Sequence, residues 1–531
     1  MIPDDPQNDR VLPDNMVVSE KRVPIYLIAA ILLWALTIFL AQSQYIVVSY
    51  WQEHMEIKIA IRLVLDFLCA AAILCFLPRW AAVIVIVFTF FGSIGLITSS
   101  YYFERNLSVI SLLANFDEGV AVTDAIFALL PLKLGVILFL INAIIIVLLY
   151  KADKTVWPPK RAWRYGCLFA CFYFVTLFGL DRIPQISFTH LNAWKGTGDV
   201  AVTWGIIPTW AGEWFAKNNS TLIEVGLNQP RTNRLTPNEI ALKLPRQVVV
   251  VQVESLDYAI IGREINGKIV TPFFNKLKNE SLFYKVDSFH NNGSADADYA
   301  FLNTREPSPN ILNYKIEGFP YQDTLPECFC ANQYQAYFFH NATGKFFSRL
   351  HAIQQMGFTK FYFVEEIVDT FHVQPQKGTS FLGAPFVSDD QLLQVVAQNV
   401  NANKEKSLFF AITLMTHVPY NLVQERTIFE YPANLFERYV NSIHYVDRAM
   451  EGLYNSLPNG TMLIVYGDHS TSIREGDYVA REHGGKDYVP CMISIVGDSI
   501  ADQQKTNPDF AIGGELSLVD ISSYLRSLLE K

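Results

Sequence analysis

The chain has 531 residues, of which 51% are hydrophobic and 18% are charged, and its mean hydropathy is +0.19. This composition is too apolar for an ordinary soluble protein and too charged for a wholly embedded one, so we expect a membrane part and a water-soluble part. The net charge of −9 argues against nucleic-acid binding, which requires a basic face.

Long apolar stretches fill the first third of the chain, at residues 23–43, 58–78, 80–99, 132–150 and 165–181. Each is close to the roughly 20 residues that an α-helix needs to cross a bilayer. The first stretch follows a polar segment and lacks a small-residue cleavage site, which is typical of an anchor rather than a removed signal peptide. We therefore predict a transmembrane domain of five helices over 23–181.

Loop charges predict the orientation of these helices. Basic residues precede the first stretch (Lys21, Arg22), separate the second from the third (Arg79) and recur between residues 151 and 164, whereas the alternate loops are mainly acidic. By the positive-inside rule, the N-terminus over 1–22 is cytoplasmic. An odd number of crossings then places the chain after about residue 182 outside the cytoplasm. If 165–181 were instead a buried or re-entrant helix, the C-terminal domain would lie inside.

Residues 182–244 contain the aromatic stretch GIIPTWAGEWFAKNNS, with Trp204, Trp210 and Trp214 close together. Tryptophan favours the boundary between membrane and water. We predict a juxtamembrane amphipathic connector here, followed by a water-soluble domain over 245–531.

Short β-rich runs alternate with helical segments from residue 245 onward, at 247–253, 336–339, 407–414, 462–466 and 492–496. This alternation predicts an α/β fold with a mainly parallel central sheet. The first four runs each lead to a carboxylate or an imidazole, at Glu254, His340, His417 and Asp468-His469. Because the ends of parallel strands meet at one edge of a sheet, we expect these side chains to form a site.

Glu254, Asp468 and His469 supply two carboxylates and one imidazole, a set that suits Mn²⁺, Mg²⁺ or Zn²⁺. Ser294 lies in the stretch SFHNNGSADADYAFL (288–302), which by itself is typical of a surface turn. Metal coordination is one way to activate a serine hydroxyl as a nucleophile, and Gly293 would allow a close approach of the backbone. The nearby Asp296 and Asp298 would support the ligands or begin a helix.

Several motifs occur in a fixed order: QVESLD (252–257), VTPFFNKLKNESLFY (270–284), NNGSADAD (291–298), DTLPECFCANQYQAYFFHNATGKFFSRL (323–350), MTHVPY (415–420), YVNSIHYVDRAM (439–450) and IVYGDHS (464–470). With them, the chain resembles the alkaline phosphatase/sulfatase superfamily, and within it lipoteichoic acid synthase and related phosphoglycerol transferases. The resemblance covers the five predicted crossings, the connector and the catalytic domain.

The resemblance implies metal ligands and a nucleophile at Glu254, Asp468, His469 and Ser294, with Ser294 as nucleophile and fourth ligand. It implies substrate contacts at His340, Phe347, Arg349, His417 and His483. Two positions depart from the family, because Ser294 stands where lipoteichoic acid synthases have threonine and Phe347 stands in place of a tryptophan. His483 falls where phosphoethanolamine transferases of the superfamily carry a histidine.

The function implied is that of a bacterial cytoplasmic-membrane transferase with its catalytic domain on the extracytoplasmic side. It would bind one divalent ion, with Mn²⁺ expected ahead of Mg²⁺ or Zn²⁺. It would move phosphoglycerol from phosphatidylglycerol to a hydroxyl of a glycan or polymer through phospho-Ser294, with His417 or His483 protonating the leaving oxygen.

Three alternatives bear on this expectation. The first is a phosphoethanolamine transferase that uses phosphatidylethanolamine. Its lipid A-modifying branch usually carries several disulfides, whereas Cys328, Cys330 and Cys491 do not form a paired framework. The second is a non-catalytic membrane scaffold or sensor, which would be expected to lose a metal ligand or the nucleophile. The third, a sulfatase activity, is not expected, because no Cys/Ser-x-Pro-x-Arg stretch for making formylglycine is present.

Overall fold

The computed structural model of the chain describes residues 25–49, 55–103, 108–121, 123–130, 132–152, 159–182, 204–216, 219–235, 242–309, 311–376, 381, 383–480, 487–500 and 516–530. Its N-terminal half is helical and its C-terminal half is an α/β domain. This agrees with the expected fold class.

The N-terminal half consists of α1 (Ile25–Ser49), α2 (Met55–Phe76), α3 (Arg79–Phe103), α4 (Val109–Ala114), α5 (Phe116–Ala121), α6 (Thr123–Leu129), α7 (Leu132–Lys151) and α8 (Pro159–Leu180). Among the described residues, four helices are long and apolar enough to cross a membrane, namely α2, α3, α7 and α8, and α1 is apolar over Ile25–Ala41. The five predicted stretches therefore all form apolar helices. The number of crossings and the domain boundaries remain predictions.

Polar contacts inside this bundle accompany the apolar packing of α1 against α2, α3 and α7. The indole of Trp34 donates to Thr89 at 3.1 Å. In α2, Arg62 and Asp66 form a buried ion pair with an N–O distance of 2.9 Å. Charged groups that are buried among apolar helices are stable only when they are paired. This ion pair joins two successive turns of α2.

The connector contains α9 (Ile206–Ala216) and α10 (Asn219–Leu227). Trp204 packs with Leu65 and Leu180 of the helical half, and Trp214 is exposed. The connector therefore contacts the helical bundle. Its position against a bilayer remains a prediction.

Within the described residues, the C-terminal half forms an eight-stranded sheet with the order β12-β4-β11-β8-β1-β7-β5-β6. Its strands are β1 (Gln247–Val253), β4 (Leu282–Ser288), β5 (Gln335–His340), β6 (Lys360–Tyr362), β7 (Ser407–Ile412), β8 (Met462–Gly467), β11 (Asp487–Ile495) and β12 (Leu516–Ser517). Only β11 runs antiparallel to its neighbours, β4 and β8. Two short hairpins, β2 (Glu264–Ile265) with β3 (Lys268–Ile269) and β9 (Arg474–Glu475) with β10 (Tyr478–Val479), stand apart from the sheet.

Helices cover both faces of the sheet: α11 (Pro272–Glu280), α12 (Ala295–Asn303), α13 (Leu325–Ala331), α14 (Arg349–Ile353), α15 (Val364–Phe371), α16 (Asp389–Ala402), α17 (Leu435–Ser456) and α18 (Leu518–Leu529). The central strand β1 reads QVVVVQV and is buried along its whole length. Val248 and Val250 pack into one core, and Val249 and Val251 pack into the other. A continuous run of valines suits a strand that is covered on both sides.

The active edge of the sheet is set by the parallel pairing of β1 with β8, in which Val253 lies opposite Gly467. Glu254 and Asp468, the next residue of each strand, are therefore neighbours. Gly467 is required here because a Cβ atom would collide with the carbonyl oxygen of Leu256. The five predicted strands are confirmed, with β11 beginning at Asp487 rather than at 492, and β4 was not predicted.

Candidate functional site

The ends of β1 and β8 bring Glu254, Asp468 and His469 together. One ligand atom from each of the three buried side chains lies within 4.8 Å of the others. His469 Nε2 lies 3.3 Å from Glu254 Oε1 and 3.7 Å from Asp468 Oδ2. His469 Nδ1 donates a hydrogen bond to the carbonyl oxygen of Ser470 at 2.9 Å. This leaves Nε2 facing the carboxylates. Three potential ligand atoms therefore converge on one point.

The pKa values of the trio are shifted because two carboxylates and an imidazole are buried close together. Burial opposes the ionised form of Glu254, but its hydrogen bond to His469 and the nearby imidazoles lower its pKa to about 2. Burial, reinforced by the charge of Glu254, raises the pKa of Asp468 well above its ordinary value. Burial also disfavours the His469 imidazolium, yet the two carboxylates raise its pKa to about 10. The trio thus attracts positive charge.

The loop that carries Ser294 begins beside the trio. It follows β4, and the ring of His290 stacks on His469 with centroids 3.8 Å apart and planes 5° from parallel. Ser294 is the residue immediately before α12 and is half-buried. Gly293 has φ +148°, and a Cβ atom there would lie 2.7 Å from Cζ of Phe347. Glycine at 293 therefore lets the phenyl ring pack directly against the backbone before Ser294.

A second polar group lies next to this loop and centres on Arg349, which is buried at the start of α14. Its Nε donates to Asp298 Oδ2 at 3.0 Å, and its Nη2 donates to Asp298 Oδ1 at 3.3 Å. Burial alone would lower the pKa of Arg349, but the charge and hydrogen bonds of Asp298 raise it, so the guanidinium stays charged. Asp298 lies four residues after Ser294, on the same side of α12.

His340 completes this group, at the end of β5. Its Nδ1 lies 3.1 Å from the carbonyl oxygen of Ile412, and its Nε2 lies 3.1 Å from Arg349 Nη1. Burial and the positive charge of Arg349 lower the pKa of His340 to about 3. The neutral ring therefore donates through Nδ1 to the Ile412 carbonyl oxygen, which fixes the ring, and accepts through Nε2 from Arg349.

His417 lies on the other side of the trio, after β7. Its Nδ1 lies 2.7 Å from the carbonyl oxygen of Val418, and its ring meets Phe381 edge to face at 4.9 Å between centroids. Burial lowers the pKa of His417, and the charge of Glu254 works in the opposite direction. With Nδ1 bound to a carbonyl oxygen, Nε2 is the atom left for a reacting group.

Asp389 ties together the loops after β5 and β7. Its Oδ1 accepts from Asn341 Nδ2 and from the backbone N–H of Leu414, both at 2.8 Å, and its Oδ2 accepts from the N–H of Met415 at 3.1 Å. Burial raises the pKa of Asp389 to about 7, against the effect of these donors. The Asp389 carboxyl group therefore joins the backbone that precedes His417 to the Asn341 side chain that follows His340.

Three residues next to these side chains have a strained backbone. Ser255, Phe347 and Ser348 have φ values of 54°, 56° and 57°, in the left-handed region that side chains rarely adopt. Each such residue costs on the order of 1–3 kcal/mol, and strain of this kind clusters at functional sites. Phe347 lies between Gly293 and Arg349, and the Cζ atom of Arg349 is 5.9 Å from the centroid of the Phe347 ring.

Most of the residues singled out in the sequence thus fall into two neighbouring groups, the trio of Glu254, Asp468 and His469 and the row of Asp298, Arg349 and His340. Ser294 is linked to both through its loop and through α12. His483 lies outside the described residues. The seven cysteines, all within the described part, form no disulfide.

Known proteins are similar to this chain over its C-terminal domain. Residues 246–507 match the family model described as Sulfatase. The lipoteichoic acid synthase-like protein YvgJ of Bacillus subtilis (strain 168) is 27% identical over 343 residues, which cover 59% of this chain and 52% of that protein. Lipoteichoic acid synthase 2 of the same organism is 23% identical over 393 residues, covering 69% of this chain and 59% of that protein. The chain thus spans little more than half the length of these relatives.

The chain is therefore similar to lipoteichoic acid synthases of the alkaline phosphatase/sulfatase superfamily. Among solved structures, the integral membrane protein lipooligosaccharide phosphoethanolamine transferase A of Neisseria meningitidis aligns with a TM-score of 0.50 at 16% identity. That alignment covers 94% of this chain and 95% of that chain. The arrangement of apolar helices followed by a catalytic-type domain is therefore shared along nearly the whole length.

Sulfatase-family enzymes use a divalent metal ion, and the trio in this chain fits one. Asp468 Oδ1 accepts from the N–H groups of Ser255 and His469, both at 2.7 Å. Its Oδ2 is buried and receives no hydrogen bond from the described residues. A buried carboxylate oxygen without a donor is costly unless a cation binds it. The donor set of two carboxylates and an imidazole leaves the identity of the ion open.

Sequence reasoning missed His290, Phe381 and Asp389. His290 lies inside the loop already marked by Ser294, so its closeness to that residue was the available signal. Asp389 follows a serine at a helix start, a pattern shared with ordinary caps. Phe381 lies in a segment without periodicity, and nothing in the sequence links it to His417.

We expect His290→Ala to weaken the affinity for Mn²⁺ by about tenfold or more, because supporting residues around a ligand typically contribute 10- to 100-fold. His290→Phe keeps a flat ring against His469 and should retain most of the affinity. The measurement is calorimetric titration of the full-length protein in detergent, with the exposed His351→Ala as control. Equal affinities in His290→Ala and the wild type would contradict a supporting role.

We also expect the thermal unfolding midpoint to fall as the pH rises from about 4 to about 7. Burial raises the pKa of Asp389 and Asp447 to about 7. A carboxyl group whose pKa is raised in the folded state stabilises the fold below its unfolded pKa and loses that contribution as the pH rises through the folded pKa.

The matched variant for this pH dependence is Asp389→Asn, which cannot ionise. The unfolding midpoint of this variant should fall by several degrees less between these pH values, since 1 kcal/mol corresponds to about 2–4 °C in a domain of this size. The control is Asp369→Asn, at an exposed carboxylate of α15. A midpoint that rises between these pH values, or an unchanged slope in Asp389→Asn, would contradict the expectation.

Proposed function

We propose that this chain is a metal-dependent transferase that moves the phosphoglycerol head group of phosphatidylglycerol to a hydroxyl of an extracytoplasmic glycan or polymer, through a covalent phospho-Ser294. The observation that carries the proposal is the buried trio of Glu254, Asp468 and His469 beside the Ser294 loop. The similarity to lipoteichoic acid synthases over the sulfatase domain supports it.

Glu254, Asp468, His469 and Ser294 would hold the ion. When bound, a divalent cation favours the ionised form of a serine hydroxyl and neutralises charge on phosphate oxygens. The residues of the chain supply the rest of the site. Ser294 lies at the N-terminus of α12, where the positive end of the helix dipole favours a phosphate group on its hydroxyl.

Ser294 begins the cycle ionised and is released as the same anion at its end. In the first step, its Oγ forms a bond to phosphorus while the bond from phosphorus to the glycerol oxygen of diacylglycerol breaks. That oxygen needs a proton, and we assign its donation to Nε2 of a protonated His417, since Nδ1 is engaged with the Val418 carbonyl oxygen. In the second step the acceptor hydroxyl attacks the same phosphorus and releases Ser294. The neutral His417 formed in the first step takes the proton of the acceptor.

Arg349 supplies fixed positive charge to both steps. Three of its five N–H groups are engaged with Asp298 and His340, and the remaining two can bind a phosphate oxygen. Because the guanidinium is already held in place, it needs little reorganisation when charge develops on the phosphate. We assign His340 the role of positioning Arg349, since both of its ring nitrogens are engaged.

The apolar helices give the donor its route to the site. A domain tethered to the bilayer meets phospholipid at a high effective concentration. We propose that the catalytic domain lies on the extracytoplasmic side, following the loop charges, where no nucleoside triphosphate is needed because the phosphodiester itself supplies the head group.

The test is mass spectrometry of the Ser294 peptide after the full-length protein is incubated with Mn²⁺ and vesicles of mixed phosphatidylglycerol and phosphatidylethanolamine. We expect a phosphoglycerol adduct on Ser294 and release of diacylglycerol. Both should be lost in Ser294→Ala and kept in Ser442→Ala, a serine of α17 that bonds only to a helix carbonyl.

An adduct with the mass of phosphoethanolamine would replace the donor in this proposal with phosphatidylethanolamine. If metal-loaded protein forms no adduct and releases no diacylglycerol, the proposal is overturned and a scaffold or sensor is favoured.

A further inference from the structure

The stretch between α3 and α7 is built into the catalytic domain. We call residues 108–121, which include α4 and α5, the loop segment. Ile110 is 1% exposed and belongs to the same apolar core as Leu222 of the connector and Leu312 of the catalytic domain. A side chain buried to that extent fixes the position of α4 on the domain.

Polar contacts fix the loop segment to the connector as well. Ser108 Oγ and the backbone N–H of Val109 both donate to Glu213 Oε2 at 2.9 Å. Glu213 belongs to α9 and is fully buried. A buried carboxylate that accepts two hydrogen bonds is costly to displace, so α4 and α9 move as one unit.

One ion pair joins the loop segment to the catalytic domain. Glu118 of α5 contacts Lys315, and their side chains are only 10% and 16% exposed. Partly buried ion pairs contribute little net stability, but breaking one leaves an uncompensated charge. Such a pair therefore selects one docked arrangement over others.

Lys315 belongs to a stretch that also reaches the active site. We call residues 311–321 the docking segment. Tyr314, which precedes Lys315 in the same 3₁₀ turn, is buried and donates from its hydroxyl to Asp298 Oδ2 at 3.1 Å. That oxygen also accepts from Arg349 Nε. The turn thus contacts the loop segment with one residue and the row of Asp298, Arg349 and His340 with the preceding one.

The connector also packs against the docking segment. Gly226 of α10 lies so close that a Cβ atom would be 2.6 Å from the ring of Phe319 and 2.8 Å from Nδ2 of Asn313. The docking segment therefore lies between the membrane half and the row that holds Arg349.

We propose that the docking segment is a positioning element, through which the loop segment of the membrane half sets the orientation of Arg349. Tyr314 and Lys315 are its positioning residues. The inference rests on the proposed function for its activity assay only. Displacing Lys315 moves the adjacent Tyr314 and removes one of the two donors to Asp298 Oδ2. The Asp298 carboxylate and the Arg349 guanidinium bound to it can then turn together, which withdraws Arg349 Nη1 from His340.

The first experiment is a charge swap in the full-length protein in vesicles. Release of diacylglycerol is measured from bilayer phosphatidylglycerol and from water-soluble dihexanoyl phosphatidylglycerol. Glu118→Lys and Lys315→Glu should each lower kcat by about tenfold on both donors, since truncating a buried pair commonly costs more than that factor. The double variant should return to within about twofold of the wild type.

The matched control is Glu425→Lys, which reverses one charge of the exposed pair with Arg448 on the same domain and should change nothing. Tyr314→Phe removes only the hydroxyl and should lower kcat with little change in KM, because a mis-set Arg349 weakens transition-state binding. Tyr321→Phe is its control, since that hydroxyl lies 3.5 Å from the carbonyl oxygen of Asn313 and does not bond to Asp298.

A readout without substrate separates this inference from the proposed function. In metal-loaded protein, Glu118→Lys should speed hydrogen exchange in residues 311–321 and 346–353 together, and the double variant should reverse it. That result supports the inference even if the wild type releases no diacylglycerol. Three results would overturn it: unchanged exchange and turnover in the single variants, no recovery in the double variant, or a loss confined to the bilayer donor.

Discussion

The parallel register of β1 with β8 is the constraint on which the rest of the molecule depends. Because Val253 lies opposite Gly467, Glu254 and Asp468 leave neighbouring strands side by side, and His469 follows at once. Burial first, and then repulsion by the Glu254 carboxylate, raise the pKa of Asp468. A slip of one residue would turn the side chains to the other face. The hydrogen bond from the Tyr466 hydroxyl of β8 to Oε1 of the buried Gln252, at 2.8 Å, opposes that slip, because a displaced Gln252 would lose this partner. The register that builds the proposed metal site is therefore held inside the core.

Around the trio, the chain surrounds the reaction space with groups that are themselves held. Arg349 is bound by Asp298 and His340, the loops after β5 and β7 are joined by Asp389, and His290 stacks on His469. This arrangement suits phosphoryl transfer, in which fixed charge and position contribute more than flexible side chains do. The contacts of Glu118 and Glu213 extend the same rigidity to the membrane half.

Much of this could be predicted from the sequence because local patterns carry it. Runs such as QVVVVQV show a covered strand, and a carboxylate after such a run marks the active edge. The antiparallel direction of β11 could not be predicted, since a strand's sequence alone does not report its direction. The pair of Glu118 and Lys315, 197 positions apart, is also beyond local reasoning, because a single charge carries no record of its partner. His290 was missed for a similar reason, since its stacking on His469 depends on the placing of β4 and β8 on either side of β11.

The central claim is that the buried trio binds one catalytic ion. Its most direct test is a calorimetric titration of the full-length protein with Mn²⁺, run in parallel with release of diacylglycerol from phosphatidylglycerol vesicles at each degree of occupancy. The account predicts one ion per chain, loss of binding in Asp468→Asn, and release that rises in proportion to occupancy. Binding that survives Asp468→Asn, or release that persists after the ion is chelated, would contradict it.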